Sequence, residues 1–326
     1  MSARASARCE DECMQVQASG SSVMASYCAY GLIIQSNLDL PQLEESSATP
    51  DLTVRRGRVD APFAFPRAGR KVWSENGTVW LFCGKRGALR IRDGKEILVD
   101  PAPGVDARII HNWVIGQGLG VAMSQRGLFV LHAGVVKVGH AGVAFMGPSG
   151  SGKSTMVMAL CHAGYAVLAD DHAVIDDRHG ATVFSGFPQV KLREDSLRTF
   201  RRHGDAVGCG KVSEEKLGWD IRENFAPCSV PLRSIYVLAE APEVRITELS
   251  QEEAAAELGR NSFLSSLSIK PACAVTHLER STRLAARVPL RRLERPRSYT
   301  DLPSLVRLLE EAHEMECCEQ AVASTA

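Results

Sequence analysis

Short apolar or alternating runs dominate residues 27–130. Runs such as those at 78–84 and 88–94 are separated by Gly, Pro, Asn and Asp, which is typical of short strands joined by hairpins. The stretch 106–127 instead carries apolar residues at helical spacing. The pattern predicts a smaller, β-rich N-terminal domain over 27–130. It holds no catalytic constellation of its own, so a substrate-docking role and a purely structural role both remain open.

The pattern changes from Leu131 onward. Residues 131–147 read as two strands joined at Gly139–Gly142, residues 153–164 as a helix and residues 165–171 as a buried strand. This alternation predicts an α/β domain over 131–313 with a mixed sheet and flanking helices. The remaining predicted elements are a hairpin across Arg178–Gly180, a helix at 190–204, a candidate mobile loop at 207–225, a strand at 231–240, a helix at 250–267, and a final strand and helix within 288–314.

The two ends of the chain lack this patterning. Residues 1–26 are rich in Ser and Ala without hydrophobic periodicity, and residues 314–326 are a short polar tail, so both are predicted to be disordered. The N-terminus has no continuous apolar region and carries acidic residues, which argues against a signal or transit peptide. No apolar run approaches the roughly 18 residues needed to cross a bilayer. We therefore expect a cytoplasmic protein without a membrane partner.

Composition excludes further classes of function. The 326-residue chain has 38 Lys plus Arg and 38 Asp plus Glu, so its formal net charge is zero. A chain without net positive charge has no general attraction to nucleic acid, and no nucleic-acid partner is expected. The ten cysteines are scattered and lack the paired spacing of a structural zinc site.

Residues 147–154 read GPSGSGKS and match the phosphate-loop pattern G-x-x-x-x-G-K-[ST]. An apolar run precedes the motif and a helical pattern follows it, which is the context that the motif requires. Glycines allow successive backbone N–H groups to face one anion, and the helix N-terminus adds partial positive charge. We expect Lys153 to reach the β- and γ-phosphates of ATP and Ser154 to ligate Mg²⁺. The predicted ATP-binding residues are Gly147, Pro148, Ser149, Gly150, Ser151, Gly152, Lys153, Ser154 and Thr155.

Asp170 and Asp171 end the buried strand soon after this loop. The carboxyl ends of strands are where open α/β sheets bind ligands. One carboxylate suffices to hold Mg²⁺, so the second could accept the proton of an incoming hydroxyl. Adjacent strand residues point to opposite faces, so at most one carboxylate aims directly at the reaction centre. A metal-binding aspartate with a turn-capping neighbour is the alternative.

Together with these motifs, residues 131–171 resemble the C-terminal catalytic domain of the HPr kinase/phosphorylase family. That family is marked by a strand carrying His and Gly, a hairpin, a phosphate loop of the form G-x-S-G-x-G-K-S, a short helix, and a strand closing in Asp-Asp. In this chain the same order is kept without gaps by His132, Gly147, Lys153, Ser154, Asp170 and Asp171.

The resemblance implies a kinase that uses ATP and Mg²⁺ to phosphorylate a serine hydroxyl. Carried over by residue, it implies that Asp170 is the base and that Lys153 holds the transferred phosphate. It implies that Ser154 and Asp171 are associated with the metal. His132 would orient or tune Asp170. Taken without the resemblance, a single histidine at this place is more often a structural residue than a functional one.

Other segments resemble a particular branch of these kinases. The glutamate-arginine-glycine stretch of the bifunctional enzymes is missing downstream. Five segments look instead like HPr-kinase-related proteins found with ribosomally made peptides: residues 30–43, 186–196, 211–221, 231–238 and 288–309. Among these are kinases that phosphorylate the C-terminal serine of lasso-peptide precursors. The expected partner is therefore a peptide or small protein with an acceptor serine, and a kinase acting on HPr itself is the alternative.

A γ-phosphoryl group in transfer needs more positive charge than Lys153 and one metal supply. The missing charge must come from segments that can fold over the site, and Lys191 and Lys211 are the preferred candidates. The full set of candidates is Lys191, Arg193, Lys211, Lys216 and Arg222.

Two further functions remain open from the sequence. One is a regulatory nucleotide-binding switch or ATPase without phosphotransfer. The other is a small-molecule kinase, because the phosphate-loop region is also similar to phosphoenolpyruvate carboxykinase, although the two extra metal ligands of that chemistry are not identifiable. A homo-oligomeric state is likewise left open.

Overall fold

The computed structural model describes residues 24–66, 69–200, 210–213, 215–266 and 271–323. Two large mixed sheets, a small antiparallel sheet and flanking helices make up this part of the chain. The α/β fold class predicted from the sequence is confirmed at this level. Most of the predicted N-terminal leader lies outside the described residues, and the first strand already begins at Ala25.

The first sheet contains eight strands in the order β3-β1-β2-β4-β8-β7-β6-β5. Strand β4 pairs in parallel with β2 and with β8, and all other pairs are antiparallel. The strands are β1 (Ala25–Ala29), β2 (Leu32–Ser36), β3 (Glu44–Glu45), β4 (Leu52–Arg56), β5 (Arg70–Glu75), β6 (Thr78–Cys83), β7 (Gly87–Arg92) and β8 (Glu96–Pro101).

One helical segment covers a face of the first sheet. It comprises α1 (Ala107–Trp113), a π-helical stretch (Val114–Gly118) and α2 (Leu119–Gln125). Asp106 caps its start by accepting a hydrogen bond from the backbone N–H of Arg108 at 2.8 Å, as expected of an N-cap carboxylate. The helix predicted over 106–127 is present, although the sequence did not indicate the π-helical middle.

The second sheet follows the order β12-β10-β11-β18-β14-β13-β9, with β20 joined to β18 and β19 joined to β20. Strand β18 pairs in parallel with β11 and with β20, and it pairs antiparallel with β14. The strands are β9 (Phe129–Leu131), β10 (Ala133–Val138), β11 (Ala141–Met146), β12 (Val167–Ala169), β13 (Ala173–Asp176), β14 (Thr182–Phe184), β18 (Val230–Glu240), β19 (Arg245–Glu248) and β20 (Leu290–Arg295).

A small antiparallel sheet differs from the sequence expectation. It consists of β15 (Gln189–Leu192), β16 (Gly210–Lys211) and β17 (Leu217–Asp220), in the order β15-β17-β16. The helix predicted at 190–204 therefore begins as a strand, and within the described residues α4 covers Glu194–Phe200. The described part of the segment at 207–225, predicted as a mobile loop, contains the partner strands.

The remaining helices pack around the second sheet. Three of them differ from the sequence prediction. Helix α5, predicted to reach residue 267, ends at Arg260 and is followed by a 3-10 turn, and α7 continues through part of the tail predicted to be disordered from residue 314. Helix α6 was not predicted; it is joined to the sheet by Asp177, whose fully buried carboxylate pairs with Arg280 at 2.6 Å and Arg283 at 2.5 Å. The helices are α3 (Lys153–His162), α5 (Gln251–Arg260), α6 (Pro271–Ala285) and α7 (Leu302–Ala323).

Strand directions in the second sheet bring the chemistry-bearing residues to one edge. Strands β11, β18 and β20 are mutually parallel, and β12 runs the same way because both β11 and β12 are antiparallel to β10. Their carboxyl ends therefore share an edge with the start of β10. None of the helices in the described ranges is both long and apolar enough to cross a membrane.

Candidate active site

The glycine-rich loop lies between the end of β11 and the start of α3. Gly152, the last residue before the helix, has φ +92°, and a Cβ there would lie 2.4 Å from a guanidinium nitrogen of Arg295. Any L side chain would be strained at this φ and would also displace the arginine. Glycine is therefore required at this position by both the backbone and its neighbour.

Lys153 lies folded over the loop. Its side chain is only 7% exposed, and Nζ donates hydrogen bonds to the backbone oxygens of Gly147 at 2.8 Å and Pro148 at 3.0 Å. Burial, together with the neighbouring charge of Lys216, lowers the pKa of Lys153 to about 8, although Asp170 and Asp171 oppose the shift. The ammonium is thus held at the cradle, where a phosphate oxygen could replace its two carbonyl partners.

Asp170 is almost completely buried, with 4% exposed. Its Oδ1 accepts a hydrogen bond from Ser154 Oγ at 2.9 Å, and its Oδ2 accepts one from the backbone N–H of Lys191 at 2.8 Å. Gly134 makes this arrangement possible, because a Cβ there would lie 2.4 Å from a methyl of Val157 and 3.3 Å from Asp170 Oδ1. Burial and the charge of Asp171 raise the pKa of Asp170.

Asp171 adopts a left-handed backbone conformation with φ +75°, which costs a non-glycine residue about 1–3 kcal/mol. Its Oδ2 accepts a hydrogen bond from Lys191 Nζ at 2.9 Å. His132 Nδ1 lies 2.9 Å from the Asp171 backbone oxygen and 3.4 Å from Oδ1. Because that backbone oxygen can only accept, Nδ1 carries the proton and Nε2 is left unprotonated in the neutral ring.

The charge state of Asp171 follows from these neighbours. Burial alone would raise the pKa of its carboxyl, but the neighbouring positive charge, that of Lys191 above all, outweighs burial, and the pKa falls well below the usual range. Burial lowers the pKa of His172 to about 4, so this ring is neutral near pH 7 and the ammonium of Lys191 is the main stabilising charge. Asp171 is therefore a carboxylate at neutral pH.

The contacts differ from the expected pairing of the two aspartates. The resemblance grouped Ser154 with Asp171 at the metal and His132 with Asp170. In the structure, Ser154 contacts Asp170, and His132 contacts Asp171. The reason is the left-handed turn at Asp171, which directs its carboxylate away from α3 and toward the start of β10.

Two cavities meet at this site. The first has a volume of about 710 Å³ and is walled by the glycine-rich loop, the start of α4 and residues 295–302. The second, of about 560 Å³, lies between the first sheet, α1 and residues 260–265. Asp171 lines both cavities, whereas Asp170 lines neither. The side chains common to both cavities are His132, Ser149, Asp171, Lys191 and Lys216.

The five Lys and Arg residues predicted to supply extra positive charge differ in whether they reach the cavities. Lys191 reaches the site but is engaged with Asp171, and the side chain of Lys211 lies outside the described residues. Lys216 lines both cavities and has no carboxylate within ion-pair distance among the residues that the structure describes. Arg193 lines the first cavity and lies 3.7 Å from Glu215. Arg222 does not line either cavity; it bonds to Asp220 and to the backbone oxygen of Pro41.

Sequence reasoning missed two arginines beside the loop. Arg295 is buried at the end of β20 and donates to the backbone oxygen of Ser151 at 2.9 Å, and Arg297 donates to that of Gly150. Both line the first cavity. The sequence did contain a signal for these arginines, because a basic run directly follows the strand predicted after residue 288. If that strand is parallel to the one before the glycine-rich loop, its carboxyl end lies at the same edge of the sheet as the loop.

The oxygen donors at the loop fit a magnesium ion bound together with phosphate. Ser154 Oγ and the Asp170 carboxylate are 2.9 Å apart, and no group of three or more His, Cys, Asp or Glu in the described ranges could hold a metal by itself. Mg²⁺ commonly uses one or two protein oxygens and completes its shell with phosphates and water. The pair is suited to that kind of site.

Comparison with known proteins adds little to this geometry. No protein-family model and no curated protein sequence matches the chain. Among solved structures, the HPr(Ser) kinase/phosphatase from Coxiella burnetii is similar over 58% of this chain and 97% of its own, with 12% sequence identity and a TM-score of 0.31.

Proposed function

We propose that the protein is an ATP- and Mg²⁺-dependent kinase that phosphorylates a serine hydroxyl of a peptide or small protein. The observation that carries the proposal is the place of Asp171. This carboxylate lies where a cavity beside a glycine-rich loop and its lysine meets a second cavity. A phosphate donor in the first cavity and an acceptor hydroxyl in the second would meet at Asp171.

On the donor side, the backbone N–H groups of residues 147–152 and the ammonium of Lys153 bind the β- and γ-phosphates. Ser154 lines the first cavity and would hold Mg²⁺ there, while the Asp170 carboxylate contacts Ser154 from behind and would support the site; the ion would neutralise charge on the phosphate oxygens. Lys216 supplies further positive charge at the transferred group, because it reaches both cavities and no described carboxylate pairs with it. These roles place Asp170 at the metal and leave Asp171 for the acceptor.

On the acceptor side, Asp171 takes the proton from the serine hydroxyl. The serine oxygen then bonds to the γ-phosphorus as the bond to the β–γ bridging oxygen breaks, and ADP leaves with that oxygen. Lys191 and His132 hold the Asp171 carboxylate in position. The raised pKa of Asp170 alone would make it the stronger base, but a base must reach the proton that it removes, and Asp170 lines neither cavity.

The acceptor that the resemblance favours is the C-terminal serine of a ribosomally made precursor peptide, such as a lasso-peptide precursor. To test the activity, the full-length protein is incubated with Mg-ATP and serine-containing precursor peptides, and phosphoserine is identified by mass spectrometry. Transfer that requires both Mg²⁺ and the peptide supports the proposal. ATP hydrolysis at the same rate with and without any peptide, and no phosphopeptide, would contradict it and favour the regulatory ATPase.

A further inference from the structure

The second cavity is lined by three arginines that have no role in the phosphate transfer proposed above. Arg70 begins β5 and Arg86 directly precedes β7, and both lie at the same end of the β5-β6-β7 meander, because Cys83 pairs with Arg70 and with Gly87. Both arginines line the cavity, as does Arg260 at the end of α5. Three guanidinium groups from two separate regions of the chain therefore face one space.

Few carboxylates are available to neutralise these arginines. Arg260 lies 2.9 Å from Glu257. Within the described part of the chain, neither Arg70 nor Arg86 forms an ion pair. The carboxylate that lines the cavity is that of Asp171, which Lys191 already binds. Counted over the described residues, the cavity therefore has a net positive charge.

The wall of the second cavity also contains a buried amide side chain. Asn112, on α1, lines the cavity and is 7% exposed. Its Nδ2 donates to the backbone oxygen of Arg108 at 2.9 Å, while its Oδ1 is buried without a hydrogen-bond partner among the described residues. A buried acceptor is ordinarily paired, so the wall of the cavity contains one acceptor that the described residues leave unsatisfied.

We propose that this cavity binds an acidic acceptor, a peptide whose serine is flanked by one or more carboxylates. The proposal rests on the kinase function above and specifies its substrate class. Arginine binds carboxylates through paired N–H donors, so Arg70 and Arg86 would hold the acidic residues while the serine reaches Asp171. A basic peptide would be repelled by the same groups, which gives selectivity.

The test is a positional-scanning library of serine peptides phosphorylated by the full-length protein with Mg-ATP. We expect peptides with Asp or Glu near the serine to be enriched over those with Lys or Gln. In the variants Arg70→Gln and Arg86→Gln, the ratio of acidic to neutral peptide kcat/KM should fall about tenfold, the size expected for one charge-assisted hydrogen bond. Arg55→Gln, on the exposed side of β4 and outside the cavity, is the matched control.

The outcomes separate this proposal from the one on which it rests. Phosphorylation without acidic preference, or an acidic preference that both arginine variants retain, would overturn the cavity assignment while leaving the kinase in place. Failure to phosphorylate any serine peptide in the library would overturn both. A change of equal size in Arg55→Gln would show that general surface charge is responsible, and would also overturn it.

A separate observation in the first cavity concerns the nucleotide base. Tyr299 lines this cavity and remains 37% exposed, and it follows the two arginines that contact the glycine-rich loop. Its hydroxyl lies 3.0 Å from Ser196 Oγ, which in turn lies 3.2 Å from Thr155 Oγ1 on the first turn of α3. The ring is thereby fixed at one wall of the cavity, connected to the helix that begins at the phosphate cradle.

We infer that the purine base of the nucleotide stacks on Tyr299. An aromatic ring held in place beside a phosphate site gives the base a surface to stack on. Stacking of a base on an aromatic side chain contributes about 1–3 kcal/mol to binding. This inference also rests on nucleotide binding at the loop.

The test compares ATP with inorganic tripolyphosphate, which has the phosphates but no base. In Tyr299→Ala, the affinity for ATP relative to tripolyphosphate should fall about tenfold to a hundredfold, whereas Tyr299→Phe should keep most of the preference. Equal losses for both ligands, or no loss for ATP, would overturn the inference. If neither ligand binds the wild-type protein, nucleotide binding at the loop itself is wrong.

Discussion

The two large sheets contribute to the site in different ways. In the second sheet, like-directed strands end at one edge, and that edge carries the glycine-rich loop, the two aspartates and Arg295. The first sheet is built from hairpins, and it reaches the cavities only through the end of its β5-β6-β7 meander. Reactive groups thus collect where parallel strands end, whereas the hairpin sheet can offer only charges from its turns and edges.

The two sheets also differ in the residue types that their structures require. The first sheet needs apolar side chains on the face under α1 and α2, where Leu89 and Ile97 are completely buried. The edge of the second sheet instead holds a non-glycine residue at positive φ, a buried lysine and a glycine that touches an arginine. Strain and buried charge of this kind are tolerated where the surroundings fix them.

The largest expected effect comes from removing the base. Asp171→Asn should lower the rate of serine phosphorylation by about 10²- to 10⁴-fold, because the amide cannot accept the proton. Mg²⁺-dependent ATP binding should be nearly unchanged. The measurements are single-turnover transfer to a serine peptide and titration calorimetry with ATP.

Two variants control this prediction. Asp93→Asn makes the same change at another left-handed aspartate, with φ +54°, in the turn between β7 and β8, and should leave transfer unchanged. Asp170→Asn should weaken ATP binding in the presence of Mg²⁺. If Asp170→Asn instead abolished transfer with nucleotide affinity intact, the roles assigned to the two aspartates would have to be reversed.

The next largest effect tests the first sheet as a packed scaffold. Ile97→Ala removes a side chain that is 0% exposed and should lower the free energy of unfolding by about 2–5 kcal/mol. The loss should appear in chemical denaturation, while ATP affinity at 25 °C stays unchanged because no atom of Ile97 lines a cavity. A parallel loss of ATP affinity in folded protein would show that the two sheets are coupled more tightly than their contacts suggest.

A smaller effect is expected from adding a methyl group to a glycine of the phosphate loop, where backbone strain and a clash with a neighbour can be separated. Gly152→Ala should lower the free energy of unfolding by about 1–3 kcal/mol and weaken ATP binding, because the new methyl displaces Arg295. Gly104→Ala is the matched control, because Gly104 also has a positive φ of +73° but has nothing within 4 Å of the added Cβ. It should cost stability through strain alone. Equal effects of the two changes on ATP affinity would contradict a special role for the Gly152 contact.

The smallest expected effect is on the pH dependence of ATP binding. The pKa of Lys153 is lowered to about 8, so its ammonium is charged below that pH and becomes neutral above it. Polyphosphate binds the charged form, so ATP affinity should decrease as pH rises through about 8, by up to about tenfold per further pH unit. Lys153→Ala should bind weakly with no such decrease. A flat profile for the wild type would contradict the lowered pKa.

Much of the second sheet could be predicted from local patterns. The β10-β11 hairpin, α3 and the β13-β14 hairpin all form where apolar runs, glycines and helical spacing predicted them. The strand β15 was mistaken for the start of a helix, because a short apolar run next to a helical segment is ambiguous by periodicity alone. Helix α6 was missed although its arginines bind buried Asp177, a contact that only the folded chain reveals.

The sequence by itself determined the α/β class and the order of the loop, the helix and the aspartate pair, because these depend on spacings between near neighbours in the chain. Only the tertiary structure decided which aspartate faces Ser154 and which faces His132, since that choice depends on one left-handed backbone turn at Asp171. It also decided that Arg295 and Lys216 reach the site and that Arg222 does not. Such contacts join residues far apart in the chain, and they follow from strand order and direction, which local patterns do not specify.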